Sequence, residues 1–264
     1  MIRSSEVSYS ESASIAAVAD FFKFLTKLYL DEELVEWPPE GGWPSITTDT
    51  FASLNKSESV VSFLRQLPYM QDFRVPIGEV RPQGLPEASF WNWKDYRGTT
   101  DVHGIKVLTE GFLCERTNPD IVGMVEGGQD DSTVILLDTK HGIAYWADCP
   151  DQIRHEKTEE QVHNDYNAWA SDQEAGWRGD APAWTIPDFF AMLRREFEQL
   201  RFIPVNTRQV INSWSEYSDD GELEAMLQGI YREHGWPNLE NYQKEECLQA
   251  VQQALAKQYP DFEL

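Results

Sequence analysis

The sequence predicts an α+β protein: an antiparallel sheet over roughly residues 100–148, helices from both flanks packed on it, and a C-terminal helical hairpin. Three observations lead there. Apolar residues recur at helical spacing near both ends of the chain. Short apolar runs separated by Gly, Asn or Pro crowd the middle. At 264 residues the chain is long enough to bury roughly three quarters of its unfolded surface.

In chain order, Ile15, Val18, Ala19, Phe22, Leu25 and Tyr29 form a helical stripe that Phe21, Phe24 and Leu28 widen, so this first helix must bury most of its circumference. "WPPEGGWP", residues 37–44, forbids regular structure, and Thr47 or Thr48 can cap the next helix. Short helices are expected over 48–54 and 58–67, the second opened by Ser57 and closed before Pro68. Residues 69–100 hold no sustained period and read as irregular structure or edge strands.

Five strands are then expected, at 104–108, 111–115, 121–125, 133–139 and 143–147, in an antiparallel meander. Residues 150–184 are polar with Trp169, Trp177 and Trp184 scattered among them, and read as a long surface excursion, with a partly helical course as the alternative. Thr185 and Asp188 open a helix whose apolar face is Ile186, Phe190, Leu193, Phe197 and Leu200, expected to lie on the sheet. Leu223, Met226, Leu227, Ile230 and Tyr231 mark one later helix; Cys247, Leu248, Val251, Ala254 and Leu255 mark another. Gly235 and Pro237 between them make an αα-hairpin.

Composition narrows the function classes. With 22 Lys and Arg against 45 Asp and Glu, the formal charge is −23, and a surface of that sign repels phosphate. No nucleic-acid partner is expected; a protein partner, if charged, is expected to be basic. Cys114, Cys149 and Cys247 are far apart and odd in number, so neither a disulfide framework nor a structural zinc site is expected, and a cytoplasmic or nuclear setting fits best. There is no apolar leader and no run of 18 uncharged apolar residues, so no membrane role is expected.

The stretch "DDSTVILLDTKHGIAYWAD", residues 130–148, sets Asp138, His141 and Asp148 among apolar residues. A three-residue loop with Gly142 left-handed puts His141 at its tip and Asp138 at its entrance, where a carboxylate accepts backbone N–H groups. Asp148 then falls roughly 17 Å along the strand from Asp138, at about 3.4 Å per residue, too far to share a proton with it. A structural role outranks an acid/base role for these residues.

This hairpin and its surroundings carry a resemblance. "VGMVEGGQDDSTVILLDTKHGIAYWAD", followed by "IPDFFAMLRREFEQLRFIP", resembles the core of the SUKH superfamily, the Smi/Knr cell-wall-synthesis-regulator type, in its fungal branch. The matching positions are Gly127, Gly128, Asp130, Asp138, Gly142, Tyr145, Trp146, Phe189 and Phe190. "WPPEGGWP", "LRQLPY" and "IYREHGWPNLENYQKEECL" extend the similarity in patches over residues 37–258. The resemblance implies an α+β domain at 37–204 that binds other proteins, with residues 1–36 packed on it and 205–264 as a helical-hairpin extension.

Candidate sites remain. "FWNWKDYRG", residues 90–98, joins Phe90, Trp91, Trp93 and Tyr96 to Lys94, Asp95 and Arg97. Such a set serves an interface hot spot or a ligand pocket, and equally anchors a long loop to the core. His155, Glu159 and His163 stand at i, i+4 and i+8, but on one helix the outer pair would be about 12 Å apart and could not converge on one ion. No P-loop, dinucleotide fingerprint, nucleophile elbow or His-Glu-x-x-His occurs.

The leading expectation is a non-enzymatic protein-interaction module that presents the 90–98 segment and the sheet edge to its partner, with Trp91, Trp93, Asp95, Tyr96, Arg97 and Trp146 as binding residues and with no cofactor and no metal. One rival is an enzyme with a small-molecule pocket walled by Trp91, Trp93 and Trp146 and with acid/base groups among Asp95, Asp101 and His103. The other is an acidic decoy for a nucleic-acid-binding protein.

Overall fold

The computed structural model describes residues 2–3, 6–71, 81–127, 133–156, 160–163, 166, 170–214 and 221–260. Strand β1 (Ile2–Arg3) precedes helix α1 (Glu11–Leu28), which starts where the Ser10 hydroxyl accepts the Ala13 N–H. β2 (Val35–Glu36), α2 (Thr48–Phe51), α3 (Glu58–Arg65) and β3 (Tyr69–Met70) come next, and Thr47 and Ser57 cap α2 and α3 as their positions suggested. Then come β4 (Ala88–Phe90), α4 (Val102–Glu110), β5 (Ile121–Gly123), β6 (Val125–Gly127), β7 (Ile135–Asp138) and β8 (Ile143–Trp146). α5 (Asp151–Arg154), β9 (Val162–His163), α6 (Asp172–Asp180), β10 (Ala183–Thr185) and α7 (Ile186–Glu198) lead to β11 (Phe202–Pro204), β12 (Val210–Asn212), α8 (Glu222–Glu233) and α9 (Lys244–Gln258). The class is α+β: helices around several small sheets, most of them antiparallel.

The principal sheet has the order β10-β8-β7-β5 and is antiparallel throughout. Alternation along its strands sends side chains to opposite faces. Val122, Leu137, Ala144 and Trp184 stand in one cross-strand row, with Ile135 and Trp146 on the same face, and join the core built by α1 and α7. Ile121, Leu136, Ile143, Tyr145 and Ala183 point the other way and pack with Leu113 and Trp177 of α6. Both faces are covered, which is why residues 134–137 read as an unbroken apolar run rather than an alternation.

Three expectations are corrected. Residues 104–108 are helical, in α4, and 111–113 form a 3₁₀ turn, so neither is a strand. Residues 150–184 are more than a surface excursion: Trp177 and Arg178 are buried under the second sheet face, and Trp184 is in β10; Trp169 lies outside the described residues. The loop of the β7–β8 hairpin has four residues, 139–142, since Asp138 pairs with Ile143. Gly142 has φ +71°, the left-handed turn position expected of it, and Tyr9 packs where its Cβ would be.

The sheet edges are closed. The outward carbonyls of β5 accept the Lys56 ammonium at Ile121 and the Trp93 indole N–H at Gly123, and beyond β10 Trp184 bridges to Gln161. An edge so occupied offers no ladder to an incoming strand. Gly123 itself is dictated by α4: a Cβ there would lie 1.8 Å from the Thr109 carbonyl oxygen.

α1 packs along α7 through Phe21, Phe24, Phe190 and Phe197. The C-terminal hairpin joins the same core: Trp236 donates to the Phe197 carbonyl, and Tyr242 and Lys244 donate to the carbonyls of Leu28, Thr26 and Leu30 at the end of α1. A lysine at a helix C-terminus satisfies the last carbonyls and offsets the negative end of the dipole.

Candidate functional site

The aromatic segment at 90–98 is held by two anchors that point inward. β4 pairs with β6, which sets Phe90 against Phe21, Phe22 and Phe190. A 3₁₀ turn over 93–95 then drives Trp93 into the core, where it is 1% exposed and stacks near Phe51 and Tyr96. Tyr96 is buried too, its hydroxyl 2.9 Å from that of Ser53. The segment therefore presents no exposed aromatic patch, and Trp93 is not a surface group.

The side chains between the anchors face a concavity of about 470 Å³, lined among others by Met70, Arg81, Ser89, Trp91, Asn92, Asp95, Tyr96, Arg97 and Ile105. Asn92 donates through Nδ2 to the Met70 carbonyl and to Asp95 Oδ2, each at 3.0 Å. Both partners are acceptors, so the amide orientation is fixed and Oδ1 is left as a free acceptor. Asn92 Oδ1 and Trp91 Nε1 are shielded from solvent and have no hydrogen-bond partner among the described residues, a state that costs about 1–3 kcal/mol per group.

Arg81 pairs with Glu126 and stands 6.0 Å from the centroid of Trp91. Exposed Arg97 donates to the Lys94 and Tyr96 carbonyls and reaches Asp95 at 3.7 Å. Two guanidinium groups thus stand at one concavity of a strongly acidic chain.

Trp146 is elsewhere. It is buried in β8 against Phe189, and it lines a second recess of about 300 Å³ with Pro86, Phe202 and Trp214 that shares no lining residue with the first. The acid/base set of the enzyme reading is likewise dispersed. Asp101 caps α4 by accepting the Gly104 N–H at 2.9 Å, His103 is exposed beside Glu115, and neither lines the concavity that holds Asp95.

The hairpin acids are structural. Asp138 is fully buried on the second sheet face, 2.8 Å from Arg178, and it accepts the Lys140 and His141 N–H groups while His141 Nδ1 lies 2.9 Å away. Burial alone would raise its pKa, but the His141 hydrogen bond and the charges of Arg178 and His141 hold it below the usual carboxylate value. Arg178 also meets Tyr145 and Glu174, tying the hairpin tip to α6. Asp148 accepts the Val134 N–H at 2.7 Å, serving the other end of the hairpin.

No helix joins His155 to His163 among the described residues: the first comes directly after α5, the second is in β9, and Glu159 lies outside the described residues. "WPPEGGWP" packs by its second tryptophan, since Trp43 donates to the Leu67 carbonyl and stacks near Tyr69, whereas Trp37 is partly exposed.

One surface feature went unread in the sequence. Of four exposed large apolar residues among those described, three stand together in sequence: Val107 and Leu108 on α4 and Phe112, 63% exposed, on the next turn. The same helix contributes Ile105 to the concavity, and Glu115 and Asp172 line an open depression just beyond it. The signal was Asp101 as a cap followed by a helical period, which the β-branched residues of this stretch obscured.

Comparison with family models, with curated proteins and with solved structures yields no match for this chain. Among the described residues no helix is long and apolar enough to cross a membrane.

Proposed function

We propose that the chain is a non-enzymatic protein-interaction module of SUKH type, and that it takes its partner across α4 and the adjoining concavity rather than on a flat aromatic patch. The observation that carries this reading is the grouping of Val107, Leu108 and Phe112 on the element that also supplies Ile105 to the concavity. Exposed apolar residues gathered in this way mark interaction surfaces, whereas single ones do not. Trp91 Nε1 as donor and Asn92 Oδ1 as acceptor suit a peptide amide, which offers one group of each kind. The formal charge of −23 favours a partner segment with basic flanks.

What supports the family reading is the hairpin closing at Gly142, with Tyr145 and Trp146 on β8 and Phe189 and Phe190 on the helix that covers it; Gly128 and Asp130 lie outside the described residues.

The test is affinity capture from native lysate with the wild type beside Phe112→Ser and Arg97→Ala, reading both proteins and co-eluting small molecules by mass spectrometry. Specific proteins held by the wild type and lost at least tenfold with Phe112→Ser are the expected result. A retained metabolite lost with Arg97→Ala, and no protein difference, would move the reading to a small-molecule site.

A further inference from the structure

The two ends of α4 bring together three side chains of the kinds that ligate a metal ion. A ring nitrogen of His103, Cys114 Sγ and a Glu115 carboxylate oxygen all lie within 4.8 Å of one another, and His103 Nδ1 is 3.1 Å from Glu115 Oε1. Asp101 caps the helix and so places His103 in its first turn; the 3₁₀ turn over 111–113 then folds the chain back beside it. We propose that His103, Cys114 and Glu115 form a divalent-cation site of the zinc class.

The donor set decides the class of ion. Imidazole, thiolate and carboxylate together suit zinc and its borderline neighbours, whereas calcium and magnesium take oxygen ligands only. Around zinc, at bond lengths of about 2.0–2.3 Å, the three donor atoms would stand about 3.5 Å apart. The present spread exceeds that by roughly an ångström, a difference that side-chain rotation can close. His103 and Glu115 are free to make that rotation, with side chains 69% and 76% exposed, while Cys114 is buried and fixed. Coordination converts the Cys114 thiol to thiolate and releases its proton to solvent. Three protein ligands leave a fourth position for water. Without a cation the same residues amount to an exposed His–Glu pair, which holds little by itself.

The test uses the full chain and Co²⁺ as the probe, because a Co–thiolate bond gives a charge-transfer band in the near ultraviolet and four-coordinate Co²⁺ gives intense visible bands. Saturation at one equivalent and displacement of the bands by Zn²⁺ are the expected results. His103→Ala and Glu115→Ala, both at exposed positions, should each weaken Co²⁺ binding at least tenfold, and Cys114→Ser should remove the charge-transfer band while circular dichroism stays unchanged. Cys149→Ser, at a buried thiol outside the cluster, should leave the bands as in the wild type. Absence of saturable bands, or bands that persist at unchanged affinity in His103→Ala and Glu115→Ala, would overturn the proposal.

Discussion

Asp138 shows how one buried carboxylate can decide a local structure. It is shared by the hairpin loop, His141 and Arg178, and replacing it by Asn would take away the carboxylate charge that stands 2.8 Å from the buried Arg178 guanidinium. Removing one partner of a buried pair costs about 3–5 kcal/mol, so Asp138→Asn should lower the chemical-denaturation stability by about 3 kcal/mol. The pH dependence has a definite sign. The folded-state pKa lies below the unfolded one, so the contribution is full above the unfolded value of about 3.9 and fades as pH falls through the folded value. Stability of the wild type should therefore drop steeply below that window, and that of Asp138→Asn much less. Trp93 gives a second case at this scale. Its burial predicts that Trp93→Ala loses about 3–5 kcal/mol, and a stability change under 1 kcal/mol in urea would contradict the placement of its indole on the Gly123 carbonyl.

At the scale of elements, α4 keeps the residues of the proposed partner surface apart from those that folding needs. Thr109 and Glu110 face inward, Glu110 meeting Lys56, Lys106 and Thr117, while Val107, Leu108 and Phe112 face solvent. Phe112→Ser should accordingly change stability by no more than about 0.5 kcal/mol while removing partner capture, whereas Gly123→Ala, which forces a methyl into the Thr109 carbonyl, should cost about 3 kcal/mol or more. Thermal denaturation of the two variants side by side checks both. The elements legible in the sequence are those whose local signals agree with their tertiary role: α1 with its wide apolar stripe, α3 and α7 with their Ser57 and Thr185 caps, the β7–β8 hairpin, and the α8–α9 pair. α4 was not legible because Val102, Ile105 and Val107 favour strands, and its helix is settled by the Asp101 cap and by burial of one face. α6 was legible only as an unplaced partly helical stretch, for a related reason. Its polar composition hides one side, Trp177 and Arg178, that covers the second face of the sheet. Over residues 90–98, sequence reading did not show which side chains point inward and which face the concavity. Alternation between Phe90, Trp93 and Tyr96 inward and Trp91, Asp95 and Arg97 outward results from a 3₁₀ turn that no local motif announces.

For the whole molecule the dominant electrostatic fact is the charge of −23, and the buried cations do nothing to relieve it at the surface. Lys56 serves Glu110 and Arg178 serves Asp138 and Glu174, while the partly exposed Arg201 is likewise taken up by Glu196 and Glu156. The remaining surface carries a large negative excess whose self-repulsion opposes the compact state. Added salt screens that repulsion within about 10 Å at 0.1 M. Raising NaCl from about 10 to 500 mM should therefore raise Tm, by roughly 2–6 °C if screening contributes 1–2 kcal/mol in a chain of this size. Mild acid should act in the same direction. Burial holds the pKa of Glu196 above its ordinary value despite Arg201, so the folded state binds more protons than the unfolded one as pH falls toward that pKa, and stability rises. The loss at Asp138 begins only at lower pH, and the two effects together place the stability maximum on the acid side of neutrality. A melting series over pH at low and high salt checks this. A Tm that falls with salt would mean that exposed ion pairs outweigh the net charge, and a maximum above pH 7 would mean that Glu196 is ionised in the folded chain at little cost.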